Sequence, residues 1–199
     1  MFSGIVEECA TVRRVEGSSG LKTIVVESLL DHSSTRIGDS ICIDGVCLTV
    51  VRLENRLVSF EASTETLRRS TLGLLRAGSK VNLERSLVLG DRIHGHLVFG
   101  HVDTVVTLIN RRRDGEAERL EWRMPPDFRK YIVSKGSVAV SGVSLTVGEV
   151  RRDAFSIFAI PHTLAVTTLS KMNVAEKANL EVDMLARYVE SMLGPGREA

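Results

Sequence analysis

Two stretches of this chain carry residue types suited to covalent and acid–base chemistry, and they repeat one another. Ile43–Val50 reads IDGVCLTV and Val140–Val147 reads VSGVSLTV, with Gly, Val, Leu, Thr and Val identical in place. Cys47 and Ser144 therefore hold one equivalent position, and Thr49 and Thr146 another, at an offset of 97 residues. A thiol or hydroxyl there is a candidate nucleophile or hydrogen-bonding group. Residues two apart on a strand share a face, so Cys47 is presented with Thr49, and Ser144 with Thr146. Ser40 and Ser137 are also equivalent, and Lys135 precedes the second of them. His101 follows Gly100, and an imidazole titrates near neutral pH, which suits proton transfer. Each residue also has a plain reading. The four hydroxyl and thiol residues fit simple packing, Lys135 a solvated loop cation, and His101 a structural or exposed histidine. No glycine-rich dinucleotide fingerprint, phosphate loop, Ser-His-Asp order or HExxH is present.

The elements that must position these residues follow from the same repeat. Ser40–Ile43 is β-branched and apolar, Asp44-Gly45 is a turn signal, and Val46–Val50 reads as the returning strand of a hairpin. The offset persists elsewhere. Thr66, Leu67, Thr71 and Leu72 return as Thr163, Leu164, Thr168 and Leu169; Lys80, Asn82, Leu83 and Glu84 return as Lys177, Asn179, Leu180 and Glu181. This period is too long for a solenoid and long enough for a small domain. Strands are expected over Phe2–Val6, Ala10–Val15, Leu21–Val26, Arg56–Glu61 and Lys80–Ser86, besides the hairpin. A short helix within Ser63–Leu75 is capped by Ser63 or Thr64 and ended by Gly73. The second half repeats the plan, with strands near Thr104–Asn110, Glu118–Met124, Ser137–Val140, Val143–Val147, Ala154–Ile160 and Ala178–Val182, and a helix at Thr163–Leu169. Short strands at this spacing indicate an all-β sandwich or barrel. Phe99–Val102 echoes Ser3–Val6, so residues 1–96 and 97–183 form two domains. In the remaining segment, 184–199, Met184–Leu193 has Leu185, Tyr188, Val189 and Met192 on one helical face. Nothing equivalent follows the first repeat.

Composition excludes several classes. The chain has 199 residues, 43% of them hydrophobic and 26% charged, and a net charge of +1. That balance gives no footing for nucleic acid or an anionic membrane surface. Arg111–Arg113 is a basic run followed by Asp114 and Glu116, as expected of a solvated loop. No apolar run is long enough to span a membrane, and Met1–Glu8 lacks the pattern of a signal peptide, so a cytoplasmic protein is expected. Cys9, Cys42 and Cys47 contain no CxxC pair and read as free thiols. His94, His96 and His101 lack partners at metal-ligand spacing.

The opening MFSGIV, the repeated G-V-C/S-L-T-V, the linker GHLVFGHV, the blocks TLRRSTLG and IPHTL, and the ending NLEVD together resemble riboflavin synthase of the alpha-chain type, from Met1 to about Asp183. The resemblance implies two tandem six-stranded Greek-key β-barrels, each binding a lumazine, with short helices and a C-terminal oligomerisation helix. It implies a homotrimer with active sites between subunits, no cofactor, no metal and association with lumazine synthase. The implied reaction passes a four-carbon unit between two 6,7-dimethyl-8-ribityllumazine molecules, giving riboflavin and 5-amino-6-(ribitylamino)uracil. A non-catalytic lumazine- or flavin-binding relative of the same fold is the alternative.

Carried over residue by residue, the resemblance assigns Gly4, Ile5, Val6, Cys47, Leu48 and Thr49 to the first barrel's site. Glu61, Ala62, Ser63, Thr64, Glu65 and Thr66 complete it. The second barrel's site receives Gly100, His101, Val102, Lys135, Ser144, Leu145 and Thr146. Ala159, Ile160, Pro161, His162 and Thr163 complete that one. Phe2 would cover a ring, His101 would move a proton or polarise substrate, and Ser40, Cys47, Ser144 and Thr146 would support addition and orientation. Two positions depart from the family pattern: Phe99 stands where a small or polar residue is usual, and His94 where glycine is common.

Overall fold

In the computed structural model, which describes residues 1–18 and 20–193, twelve strands close into two barrels. The first barrel comprises β1 (Glu8–Ser18), β2 (Leu21–Glu27), β3 (Ser40–Ile43), β4 (Val46–Glu54), β5 (Leu57–Ser63) and β6 (Lys80–Arg85). The second comprises β7 (Thr104–Asp114), β8 (Ala117–Arg123), β9 (Ser137–Val140), β10 (Val143–Val150), β11 (Ala154–Ala159) and β12 (Lys177–Val182). Around the first barrel the order is β1-β2-β5-β4-β3-β6, and the second follows the same order six strands on. Even the irregularities repeat. Register slips at Val12/Arg14 and Val50/Arg52 recur at Leu108/Asn110 and Val147/Val150. Such bulges let a strand bend around a small barrel.

Alternation fills each interior. Ile41 and Ile43 of β3 join Val46, Leu48 and Val50 of β4 in one core, with Phe60 and Leu83. Val138 and Val140 join Val143, Leu145 and Val147 in the other, with Trp122 and Phe155. Between β5 and β6 runs α1 (Thr64–Arg69), capped by the Ser63 hydroxyl accepting from the Thr66 N–H at 3.2 Å. It ends at Arg69 and not at Gly73, because Ser70 turns extended and its hydroxyl caps a separate 3-10 turn, Thr71–Leu74. The counterpart α2 (Pro161–Val166) is followed likewise by a 3-10 turn, Thr168–Lys171.

Three expectations are corrected. The basic run Arg111–Arg113 lies within β7 and is not a loop; the Arg111 guanidinium donates to the Leu169 and Met172 carbonyls while Arg112 and Arg113 face solvent. A 3-10 segment at Pro126–Tyr131 has no counterpart among the described residues of the first repeat. Phe2–Val6 is not a strand: only Phe2 pairs, in an isolated bridge to Val98. The backbone groups of Ser3 and Gly4 are drawn instead to a buried side chain and to the other barrel.

That second barrel contact defines the architecture. Val6, which leads into β1, is buried in the core of the second barrel, and Val102, which leads into β7, packs on the core of the first. The two lead-in segments are exchanged. Between the barrels, Asn82 and Asn179 form a reciprocal network. The Asn82 amide donates to the Ser141 carbonyl and its oxygen accepts from the Thr168 N–H; the Asn179 amide donates to the Asp44 carbonyl and its oxygen accepts from the Thr71 N–H. The hairpin turns abut at Gly45 and Gly142, where a Cβ on either would come within 2.8 Å of the other's backbone nitrogen. Finally α3 (Met184–Leu193) follows β12, held by Arg187 pairing with Asp103 and by Lys130 and Tyr131 meeting Glu190.

Candidate functional site

The repeated hairpins present Cys47 and Thr49 on β4, and Ser144 and Thr146 on β10, on the outer faces of their barrels; the alternate residues Leu48 and Leu145 turn inward to the cores. Each hairpin edge is met by the exchanged segment of the other repeat. The Cys47 N–H donates to the Gly100 carbonyl at 2.8 Å, and the Ser144 N–H to the Gly4 carbonyl at 2.8 Å. Gly4 and Gly100 have φ of +75° and +76°, and a Cβ on either would come within 2.6 Å of the Ser144 or Cys47 Cβ. Only glycine permits both that conformation and that approach.

The grouping expected from the sequence therefore changes. Within one chain, Gly100, His101 and Val102 sit with Cys47 of the first barrel, and Gly4, Ile5 and Val6 with Ser144 of the second. A buried carboxylate pins each segment. Glu84 on β6 accepts from the Ser3 N–H at 2.7 Å and the Gly4 N–H at 3.0 Å. Glu181 on β12 accepts from the Phe99, Gly100 and His101 N–H groups at 2.7, 2.9 and 3.0 Å. Burial pushes both carboxyls above the usual range, against the opposing pull of those N–H donors.

The side chains of the two half-sites are not alike. His101 is exposed, with its ring 6.1 Å from that of Phe99. In the second half-site it is His96 that reaches the hairpin: its Nδ1 lies 2.7 Å from the Ser144 hydroxyl. Its Nε2 is buried without a hydrogen-bond partner among the described residues. Burial lowers the His96 pKa, with Asp183 pulling the other way, so the ring is neutral at neutral pH. Gly95 makes the approach possible, since a Cβ there would meet the Ser3 carbonyl at 2.1 Å and the Ser144 hydroxyl at 2.8 Å. Sequence reading noticed His96 only as one of three clustered histidines; its partner lies 48 residues away, beyond any local pattern.

The other expected residues fall as follows. Glu61, Ser63, Thr64 and Glu65 are exposed at the end of β5 and the start of α1, with Ala62 buried and Thr66 half-buried. Ile160, Pro161 and His162 are exposed at the equivalent rim, with Ala159 buried and Thr163 half-buried. Lys135 has φ +65°, where its counterpart Gly38 has +98°, and both donate their N–H to the paired strand, to Val147 and Val50. A lysine in this left-handed conformation is strained, and such strain is a pointer to function. Ser40 pairs opposite Thr49 and lines a cavity of about 580 Å³ with Ser3, Ile5, Glu84 and His94. Cys47, His101, Ser144 and Thr146 are not in that cavity's wall. Phe2 is a correction: it is fully buried with Cys42, Val98 and Ala139 between the barrels and offers no face to a ring.

Residues 3–86 and 99–183 each match the lumazine-binding domain family. A riboflavin synthase of Brucella abortus is 42% identical over 193 residues, covering 94% of this chain and 96% of the relative. The chain belongs to the riboflavin synthase family. Another member, from Mycobacterium tuberculosis, is 42% identical over 197 residues, covering 97% of this chain and 98% of the relative. The family's two-barrel fold recurs in a solved structure of LumP complexed with riboflavin, with a TM-score of 0.85, 23% identity, and coverage of 92% of this chain and 99% of that one.

Proposed function

We propose that this chain is a riboflavin synthase, converting two molecules of 6,7-dimethyl-8-ribityllumazine to riboflavin and 5-amino-6-(ribitylamino)uracil. The observation that carries the reading is the pair of equivalent half-sites with unlike side chains, Cys47 and His101 at one and Ser144 and His96 at the other. Like pockets suit two copies of one substrate. Unlike side chains suit one copy donating the four-carbon unit and the other accepting it. A non-catalytic binder has no use for that difference.

In this reading residues 1–96 and 97–183 are the two lumazine-binding units. The strand edges and rims at Glu61–Thr66 and Ala159–Thr163 receive the heterocycle and ribityl chain, with Lys135 at the second. Cys47 adds to or orients the ring in the first half-site. In the second, neutral His96 accepts the Ser144 hydroxyl proton, sharpening that oxygen as a nucleophile or as a relay for the methyl proton that must leave. Holding both rings in register supplies much of the barrier lowering. The two half-sites that meet belong to neighbouring subunits of a cytoplasmic homotrimer. Support for assembly comes from α3, whose Leu185, Tyr188, Val189 and Met192 are 63%, 63%, 53% and 81% exposed, an apolar face left uncovered by the described residues. No helix among the described residues is long and apolar enough to cross a membrane.

Mixing the purified protein with the lumazine and following riboflavin absorbance tests the reading. Turnover is expected. Binding without turnover would make the chain a ligand carrier, and neither would leave it a structural protein. Truncation after Asp183 should lower both particle size and turnover while the barrels stay folded; a truncated trimer by sedimentation would give α3 another role.

A further inference from the structure

The hairpin that presents Cys47 carries a second thiol. Cys42 on β3 is the register partner of Cys47 on β4. The Cys47 N–H goes to Gly100 and not to Cys42, so the two form a non-hydrogen-bonded pair. In such a pair the Cα atoms lie about 4.5 Å apart with side chains on one face, within the span of a disulfide. That face is the outer one. Cys42 packs with Phe2, Val98 and Ala139, and Cys47 packs against the same cluster. Cys42 is buried, Cys47 half-buried, and both are free thiols. The second barrel has Ala139 and Ser144 in these places, so the device belongs to the first half-site alone. Cys9 is no rival. It sits on β1, across β6 from β3, and two strand spacings of about 4.8 Å exceed disulfide reach.

We infer that Cys42 and Cys47 form a thiol oxidation site, which a peroxide closes into a cross-strand disulfide that withdraws Cys47 from the half-site. Cys47 sulfur, as thiolate, attacks one peroxide oxygen; the O–O bond breaks and the other oxygen leaves as water after taking a proton. Cys42 sulfur then attacks the Cys47 sulfenic sulfur, the S–O bond breaks, and hydroxide leaves as water with the Cys42 proton. Two thiols and one peroxide give one disulfide and two waters, with two electrons passed from sulfur to oxygen. The order follows from exposure. Burial, with Glu84 and Glu181 nearby, holds the Cys42 thiol well above its usual range, so it is not the group that peroxide meets first. A disulfide between directly opposed strand positions is strained and readily reduced, which makes the closure reversible.

The chemical part stands apart from the synthase reading; only the activity readout rests on it. The reduced full chain is treated with hydrogen peroxide, blocked with N-ethylmaleimide and cut with trypsin. Residues 37–52, between Arg36 and Arg52, leave as one peptide holding both thiols. It should lose two hydrogens in mass, take up no maleimide, and recover on dithiothreitol, while Cys9 is alkylated. Turnover should fall by roughly tenfold or more on oxidation and return on reduction. Cys42→Ala copies the second repeat, and Cys42→Val fills the same buried space. Both should keep turnover before oxidation, form no disulfide, and lose activity to peroxide by higher oxidation of Cys47 without recovery in dithiothreitol. Two alkylated thiols after peroxide, a bridge to Cys9 or a bridge between chains would overturn the inference. If the reduced protein shows no turnover at all, the synthase reading fails while the peptide mass still decides this one.

Discussion

His96 and Ser144 are the contact with the most chemical content, because a half-buried neutral imidazole and a hydroxyl 2.7 Å apart are poised for proton exchange. Replacing His96 with Asn keeps a hydrogen-bonding atom near Ser144 but removes the base. Turnover should fall by roughly 10²- to 10⁴-fold, with riboflavin affinity changed far less. The wild-type pH profile should lose activity on the acid side with a midpoint below that of an ordinary histidine, since burial lowers this pKa. The Asn variant should lack that acid limb. A purely structural His96 would leave the limb in place. Cys47→Ser should likewise slow turnover while leaving affinity within about tenfold, the pattern of a transition-state contribution.

At the scale of elements, Lys135 and Asp44 are two of the non-glycine residues held at positive φ, beside Asn55, Ser141 and Ala175. Lys135→Gly removes left-handed strain of about 1–2 kcal/mol and adds about 0.5–1 kcal/mol of unfolded-state entropy, so stability should hold or rise slightly. Weaker riboflavin binding in that variant, measured by fluorescence titration, would mark the lysine as a ligand contact; unchanged binding would make it a loop cation. Asp44 sits in a hairpin turn at φ +47°, with burial raising its pKa to about 7. A carboxyl raised on folding binds more protons folded than unfolded, so stability falls as pH rises from about 4 to about 7. Asp44→Asn keeps an oxygen to accept from the Asn82 N–H and suits positive φ. It should therefore stabilise the protein at pH 8, by at most about 4 kcal/mol, and flatten the pH dependence of chemical denaturation. The strands themselves were legible because each hairpin is local: alternation places Ile41, Ile43, Leu48 and Val50 inside and Cys47 and Thr49 outside. The helix stop at Gly73 was misread because Ser70, a side-chain cap for the next turn, ends the helix first.

The molecule as a whole was legible in its duplication and not in its exchange. An offset of 97 residues is visible along the chain, but Ser3 meets Glu84 across 81 residues and Gly4 meets Ser144 on the other barrel. Nothing local distinguishes a lead-in segment that stays home from one that crosses over. The exchange alters what a lone first repeat must do. Residues 1–86 contain a closed barrel, yet they lack Val102 on its core and the Gly100 carbonyl on the Cys47 edge. They also carry a Val6 that has no core of its own to enter. A second copy of the fragment supplies both: its Gly4–Val6 can take the place of Gly100–Val102, and the reverse. The result is a two-fold dimer with exchanged segments, in which Gly45 faces Gly45 as it faces Gly142 here. The fragment should sediment as a dimer and bind one riboflavin per chain. Val6→Asp would place a charge in the partner's core and should abolish the dimer, at a cost of several kcal/mol. A stable fragment monomer that binds riboflavin with Val6 exposed would show that the exchanged segments are an ornament of the full chain and not a requirement of the barrel.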